Sequence, residues 1–353
     1  MAKLAVKKYF RFIILVFTAF MTVATIYGLF GGDTNPASRG GTSEAMFCFA
    51  LPILIAIDIC LIVLWLILKR WYWALMPFIA VLCCLGYIGT FFRLGSGAPD
   101  TIDKLGLKIC TYNVGGFGKE ASNYISQDIL SELKNQHADI VCFQEYREHS
   151  GDINNTERYK EEFPYAAMGN KDMIIFSRFP ITGSKNIQFE ETNNSSMYAD
   201  INVNGKMLRV FNVHMQTTGV NRTMYKAGKA SAQGQKVESS KVLKAIYGNY
   251  MLDLMIRAGQ ANQVATEVRQ SEYPVVLCGD FNDVPYSYVY NTLKGDLKDG
   301  FCDKGGGWMW TFRGKKAFRI DYIFYDKSIP GVSYYKKELT YSDHIPVFSK
   351  IDF

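Results

Sequence analysis

Residues 275–287 read VVLCGDFNDVPYS. A short run of apolar, β-branched and small residues reads as a buried strand. Gly279, Asp280, Phe281, Asn282 and Asp283 follow at once, and Val284-Pro285 turns the chain away. Burying polar groups is costly unless they are partnered, so a strand that ends in two carboxylates and an amide implies something there that needs them. Asp280 and Asn282 are two residues apart, which in extended backbone points both the same way, while Phe281 points to the opposite face and packs.

Working outward, the same pattern recurs from Lys108 onward. LKICTYNVGGF (107–117) delivers Asn113, and DIVCFQEYRE (139–148) delivers Gln144 and Glu145. LRVFNVHMQT (208–217) delivers Asn212 and His214, again two apart and on one face, and FRIDYIFYD (318–326) delivers Asp321. LTYSDHIPVFSKI (339–351) places Asp343 and His344 just before a last strand. Any one of these is most simply a turn after a strand. Together they converge, because ligands gather where loops leave strand ends. Two of the four histidines, His214 and His344, belong to the set, whereas His137 and His149 read as surface residues.

In this order, TYNV, FQE, NVH, GDFND, RIDYI and SDH resemble the endonuclease/exonuclease/phosphatase superfamily. That superfamily includes pancreatic-type deoxyribonuclease, abasic-site endonucleases, neutral sphingomyelinases and inositol polyphosphate 5-phosphatases. The resemblance runs from about Leu107 to Phe353. It implies an α/β fold, a four-layer sandwich of two facing, mostly antiparallel sheets with outer helices. It also implies phosphate-ester hydrolysis by in-line attack of water. Glu145 then resembles the principal metal carboxylate, with Asn113 and Asp343 as supporting ligands. Asp280 resembles the carboxylate that aligns or deprotonates the water, and Asn282 its neighbour. His344 resembles the imidazole at the scissile phosphate, Asp321 the carboxylate that orients it, and His214 a second histidine on phosphate or leaving group, with Asn212 beside it. An oxygen-rich site of this kind suits Mg²⁺, with Mn²⁺ as the alternative.

The first hundred residues read differently. FRFIILVFTAFMTVATIYGLF (10–30), AMFCFALPILIAIDICLIVLWLIL (45–68) and WALMPFIAVLCCLGYIGTFF (73–92) each approach the ~20 apolar residues that cross a bilayer. The first also has the basic flank of a signal peptide, but no small-x-small site follows it cleanly and two more runs come after, so a retained anchor is expected. Lys3, Lys7, Lys8 and Arg11 precede the first run, and Lys69 and Arg70 lie between the second and third. The positive-inside rule then puts the N-terminus in the cytoplasm and, after three crossings, the remainder outside. Asp58 within the second run reads as a helix-packed carboxylate. The expected organisation is a three-helix anchor at 1–94, a Gly/Pro/Asp-containing linker at 95–105 and a catalytic domain at 106–353.

Composition adds limits. The 353 residues carry a formal net charge of +6, too mild alone to single out nucleic acid. Eight cysteines include no CxxC pair, and Cys110, Cys142 and Cys278 sit inside strand-like runs where a free thiol behaves as a small hydrophobe.

The substrate is less legible. The abasic-site branch resembles a Tyr-x-Pro-Asn arrangement where this chain has NVHMQ, so His214 argues against a repair enzyme. Arg222 to Lys244 holds six basic residues and one acid, which fits a nucleic-acid backbone, anionic lipid head groups or a solvated helix face. In the helical stretch that follows, Leu252, Met255, Ala258, Val264 and Val268 read as core. Trp308 and Trp310, in a Gly-rich stretch, fit substrate contact or packing equally. The expected substrate contacts are Asn212, Arg222 and Trp308. Tethering favours a lipid head group or small phosphoester at the membrane. The alternative is an extracytoplasmic nuclease, and an inactive metal-binding scaffold ranks last.

Overall fold

The computed structural model describes residues 2–353 apart from 96, 98–105, 118–123, 147–148, 151–152, 171, 191, 219, 234–237 and 314–317. It divides into two units, Met1–Gly89 with Pro285–Asn291, and Thr90–Val284 with Thr292–Phe353.

The first unit holds α1 (Ala2–Leu29), α2 (Gly41–Ile67), α3 (Trp71–Cys83) and α4 (Leu85–Ile88). Val6–Leu29 and Gly41–Ile67 are long and apolar enough to cross a membrane, properties that a signal sequence shares. The third apolar run, expected to span over 73–92, does not form one helix. It is divided at Cys84 into the 13-residue α3 and the four-residue α4. Gly86 and Gly89 weaken helix formation there, and α3 alone reaches only about 20 Å at 1.5 Å per residue. A polar seam joins α1 to α2: Thr25 Oγ1 donates to Asp58 Oδ2 at 2.6 Å, and Trp65 Nε1 to Thr18 Oγ1 at 2.9 Å. Asp58 is fully buried in that seam.

From Phe92 the chain forms β1 (Phe92–Arg93), β2 (Leu107–Asn113), α5 (Tyr124–Asn135), β3 (Ile140–Gln144), β4 (His149–Ser150), β5 (Ile153–Asn154) and α6 (Asn155–Lys160). Next come β6 (Tyr165–Met168), β7 (Ile174–Ser177), β8 (Ile181–Gln188), β9 (Ser195–Val203), β10 (Lys206–His214), α7 (Val220–Ala232) and α8 (Ser239–Arg269). Last are β11 (Val275–Asp280), α9 (Tyr288–Lys294), β12 (Lys298–Asp299), α10 (Gly300–Lys304), β13 (Gly307–Trp308), β14 (Asp321–Tyr325), β15 (Gly331–Lys336) and β16 (Val347–Ile351).

Two six-stranded sheets carry the fold, in the orders β15-β16-β2-β3-β7-β6 and β12-β14-β11-β10-β9-β8. Each is antiparallel except for one central pair, β2 with β3 and β10 with β11. The period-2 alternation of the strands decides which side chains meet. Ile109, Cys142 and Ile175 of the first sheet share a core with Val210, Val276, Cys278 and Ile323 of the second, so the sheets lie face to face. Cys110, Tyr112, Val141 and Phe143 point the other way, onto Ile129 and Leu133 of α5 and Tyr159 of α6. α8 buries Leu254, Ala258, Ala261 and Val264, and Glu267 holds Lys185 of β8 at 2.7 Å. Leu252 and Met255, expected in the core, are instead 56% and 41% exposed. At about 100° per residue they fall off the line of Leu254, Ala258 and Ala261.

Candidate active site

Strand register places the polar residues. Asn113 pairs with Gln144 at the ends of β2 and β3, His214 with Asp280 at the ends of β10 and β11, and Asp280 with Asp321 across β11 and β14. Two backbone features sharpen these ends. Glu145 and Asn282 both have φ 51°, a left-handed conformation unusual for residues other than glycine, and such conformations cost roughly 1–3 kcal/mol unless the surroundings impose them. A Cβ at Gly279 would stand 2.0 Å from the Val213 carbonyl oxygen, so the glycine before Asp280 lets β11 lie close against β10.

Asp280 is the hub, and its side chain is buried. Asn113 Nδ2 donates to Asp280 Oδ2 at 3.1 Å and to Glu145 Oε1 at 3.2 Å. The Asn282 backbone N–H donates to Asp280 Oδ1 at 2.8 Å, and its amide Nδ2 to Oδ2 at 3.2 Å and to the Met215 carbonyl at 3.0 Å. His344 Nε2 lies 3.6 Å and His214 Nε2 3.9 Å from Oδ2. Behind His344, Nδ1 meets both Asp321 oxygens at 3.1 and 3.0 Å, the arrangement by which a carboxylate sets ring tautomer and orientation. Ser342 Oγ donates to the Asn113 carbonyl at 2.8 Å and accepts from the His344 backbone N–H at 3.1 Å, which laces the exposed Asp343 turn to β2.

Electrostatics follow from this packing. Burial alone would lower the His344 imidazole, but the Asp321 and Asp280 carboxylates outweigh it and push it up to about 10. His214 is likewise pulled down by burial and raised, on balance, by Asp172, Asp280 and Glu145. Asp280 is raised, chiefly by burial and against the pull of His344. Neither His214 ring nitrogen has a hydrogen-bond partner among the described residues, so both are buried donors or acceptors in want of one.

Two groups of donors could meet a divalent cation. Asp280, Asp321 and His344 offer ligand atoms within 4.8 Å of one another, but His344 and Asp321 already satisfy each other. Glu145 and Asp280 instead converge on a single amide group of Asn113, a donor standing between two carboxylates. These oxygens, with half-exposed Glu145 and exposed Asp343 open to water, fit a hard cation that keeps several waters.

Not every expected residue reaches this cluster. Asn212 faces inward with His214 but lies fully buried, two residues deeper in the strand. It donates to the Phe143 and Ile174 carbonyls at 2.9 and 3.0 Å and accepts from Gln144 Nε2 at 2.6 Å, joining one sheet to the other instead of lining the cleft. Trp308 pairs with Phe92, and its ring packs on Phe91 and Phe92. The Arg222 side chain lies outside the described residues.

Other residues join the cluster without having been expected. Asp172 Oδ1 stands 3.9 Å from His214 Nδ1. Arg257 of α8, buried, reaches Asp283 Oδ2 at 3.3 Å and the Gln216 carbonyl at 3.1 Å, while Gln260 Oε1 accepts from the Gln216 backbone at 2.8 Å. α8 therefore holds the two loops that leave β10 and β11. An arginine on the apolar line of Leu254, Ala258 and Ala261 was the available signal for it.

Comparison with known proteins bears on the family and the fold. The profile of the endonuclease/exonuclease/phosphatase family matches residues 110–344, and that of a domain of unknown function matches residues 10–91. No curated protein matches the chain. Among solved structures it is similar to humanized D. rerio TDP2 carrying 14 mutations, at 16% identity and TM-score 0.52, over 70% of this chain and 99% of that one. D. rerio TDP2 complexed with single strand DNA product is 16% identical, TM-score 0.50, over 71% and 100% of the two chains. An endonuclease/exonuclease/phosphatase from Bacteroides vulgatus is 16% identical, TM-score 0.50, over 70% and 99%. These likenesses show the fold. With its family profile matched over most of its length, the chain belongs to the endonuclease/exonuclease/phosphatase family, whose members are metal-dependent phosphoric-ester hydrolases.

Proposed function

We propose that the protein is a membrane-anchored phosphoesterase that hydrolyses a lipid head group or small phosphoester by in-line attack of water, using Mg²⁺ or Mn²⁺. The observation that carries the reading is Asp280, buried with Asn113, Asn282, His214 and His344 all turned toward it. Asp280 aligns or deprotonates the attacking water, and burial, which raises its pKa, favours its taking a proton. Asn282 holds that carboxylate and the phosphate in register. His344, protonated and steadied by Asp321, donates to a phosphoryl oxygen, and His214 donates to another or to the leaving oxygen. Glu145, with Asn113 and Asp343, would hold the cation. Once bound, the cation neutralises the charge that builds on the phosphoryl oxygens.

Anchoring rests on α1 and α2. The basic N-terminal flank favours a cytoplasmic N-terminus, and the extracytoplasmic placement of the catalytic domain then depends on an odd number of crossings. An extracytoplasmic nuclease is the second reading, supported by the lysines of α7 and α8.

The deciding experiment uses the full chain in detergent, with Mg²⁺ or with EDTA, and Asp280→Asn as control. Sphingomyelin and phosphoinositide liposomes and supercoiled plasmid are offered in parallel. Head-group release without nicking supports the membrane phosphoesterase, whereas nicking that the control lacks makes it a nuclease. No Asp280-dependent hydrolysis of any of them would sink both.

A further inference from the structure

The long helix α8 has two halves with different surroundings. Toward its C-terminal end, Leu254, Ala258, Ala261 and Val264 are buried. Toward its N-terminal end, Leu243, Tyr247, Met251 and Met255 follow one another at four-residue spacing, which on a helix is a single ridge. Leu243, Tyr247 and Met255 of this ridge are exposed, Leu243 by 69%. α7 packs beside it, with Asn249 Nδ2 donating to Thr223 Oγ1 at 2.9 Å, and adds exposed Met224 and Tyr225. Contiguous apolar surface of this kind marks an interaction site.

Charge accompanies the ridge. Lys226, Lys229, Lys241 and Lys244 are all exposed. Among the described residues only Lys241 has an ion-pair partner, Glu238 at 3.2 Å. A helix with large apolar side chains on one face and lysines on its flanks is built to lie in a lipid–water interface, where lysine stems follow the apolar surface and the charges reach the phosphates. Single-stranded nucleic acid would instead call for aromatic platforms along a basic groove, and this ridge is as much leucine and methionine as tyrosine. The chain also carries two helices apolar enough to cross a membrane.

We propose that α7 and the N-terminal half of α8 form a docking element for an anionic lipid surface, with Leu243, Tyr247 and Met255 entering the acyl boundary and the lysines engaging lipid phosphates. The choice of a bilayer as occupant rests on the membrane reading above. Docking also bears on the site, because the same helix, through Arg257 and Gln260, holds the loops that follow His214 and Asp280.

The test is hydrogen–deuterium exchange of the full chain, in detergent and in nanodiscs of phosphatidylcholine alone or mixed with phosphatidylglycerol. Exchange across residues 239–255 is expected to slow severalfold in the anionic discs only. Lys226→Glu, Lys229→Glu, Lys241→Glu and Lys244→Glu in one variant should abolish that protection, since each lysine near an anionic surface contributes about fivefold in affinity. Leu243→Ser with Tyr247→Ser should abolish it too, while both variants keep wild-type exchange in β11. Equal exchange in all three environments overturns the proposal. So does protection in detergent by a single-stranded oligonucleotide but not by anionic lipid, or protection that grows with protein concentration, which marks a second copy. Because the readout is exchange and not turnover, failure of the phosphoesterase reading would show separately, as absent Asp280-dependent hydrolysis.

Discussion

Replacing Asn212 by alanine separates a residue that joins the sheets from one that touches substrate. The side chain makes three hydrogen bonds inside the core, two to carbonyls of β3 and β7 and one from Gln144. At roughly 1 kcal/mol net for each, their loss amounts to about 3 kcal/mol, before any cost of the cavity left behind. Gln144 Nε2 retains a bond to Thr111 Oγ1 at 3.0 Å, so it is not orphaned. For a domain of this size each kcal/mol moves the melting temperature by about 2–4 °C, so the variant should melt roughly 6–12 °C lower. Asn212→Asp should be no better, because it keeps the acceptor but loses both donors and buries a carboxylate. The assay is thermal melting of the full chain in detergent, followed by near-UV circular dichroism, with KM and kcat measured well below the transition. Expected are a lowered melting temperature and a nearly unchanged KM. A variant that melts like the wild type while its KM rises severalfold would refute the reasoning and return Asn212 to the cleft.

Asp280→Asn should lower kcat by about a thousandfold or more while melting close to wild type, since proton transfer by a positioned group contributes ~10²–10⁴-fold; single-turnover hydrolysis checks it. In EDTA, His344, raised from 6.5 to about 10, stabilises the fold fully below about pH 6.5 and loses that contribution as pH rises through about 10. Melts from pH 6 to 10 should therefore fall with pH more steeply in wild type than in Asp321→Asn, which removes the carboxylate that holds the imidazolium; parallel curves would contradict the ion pair. Arg257→Ala leaves Asp283 buried without its partner and should destabilise by roughly 3–5 kcal/mol as well as lower kcat; Arg257→Lys should recover part of both, and a loss of stability with untouched kcat would confine Arg257 to folding. Glu145→Gln should weaken Mg²⁺ at least about tenfold, read by titrating the metal against activity, because a hard divalent ion at such a site depends on one or two carboxylates.

Much of the candidate site could be proposed before any fold was known, because its residues occupy strand ends and strands have a period of two. Alternation put Asn212 with His214, and Asp280 with Asn282, on common faces, and the ordered motifs around them identified the family. The apolar runs at 10–30 and 45–68 announced helices on hydropathy alone. Local pattern could not say what an inward residue meets on the facing sheet, so Asn212 and His214 looked equivalent although one bonds across the core and the other faces Asp280. Nor could it pair Asp172 with His214, or bring Arg257 to Asp283, since those contacts join segments whose meeting depends on how the chain crosses itself. The break at Cys84 and the exposure of Leu252 and Met255 belong to the same class: composition made them apolar, but helix ends and packing partners decided what they cover. Periodicity is a property of a few consecutive residues and is written in the sequence. Pairing and coverage are properties of distant segments brought together, and only the tertiary structure holds them.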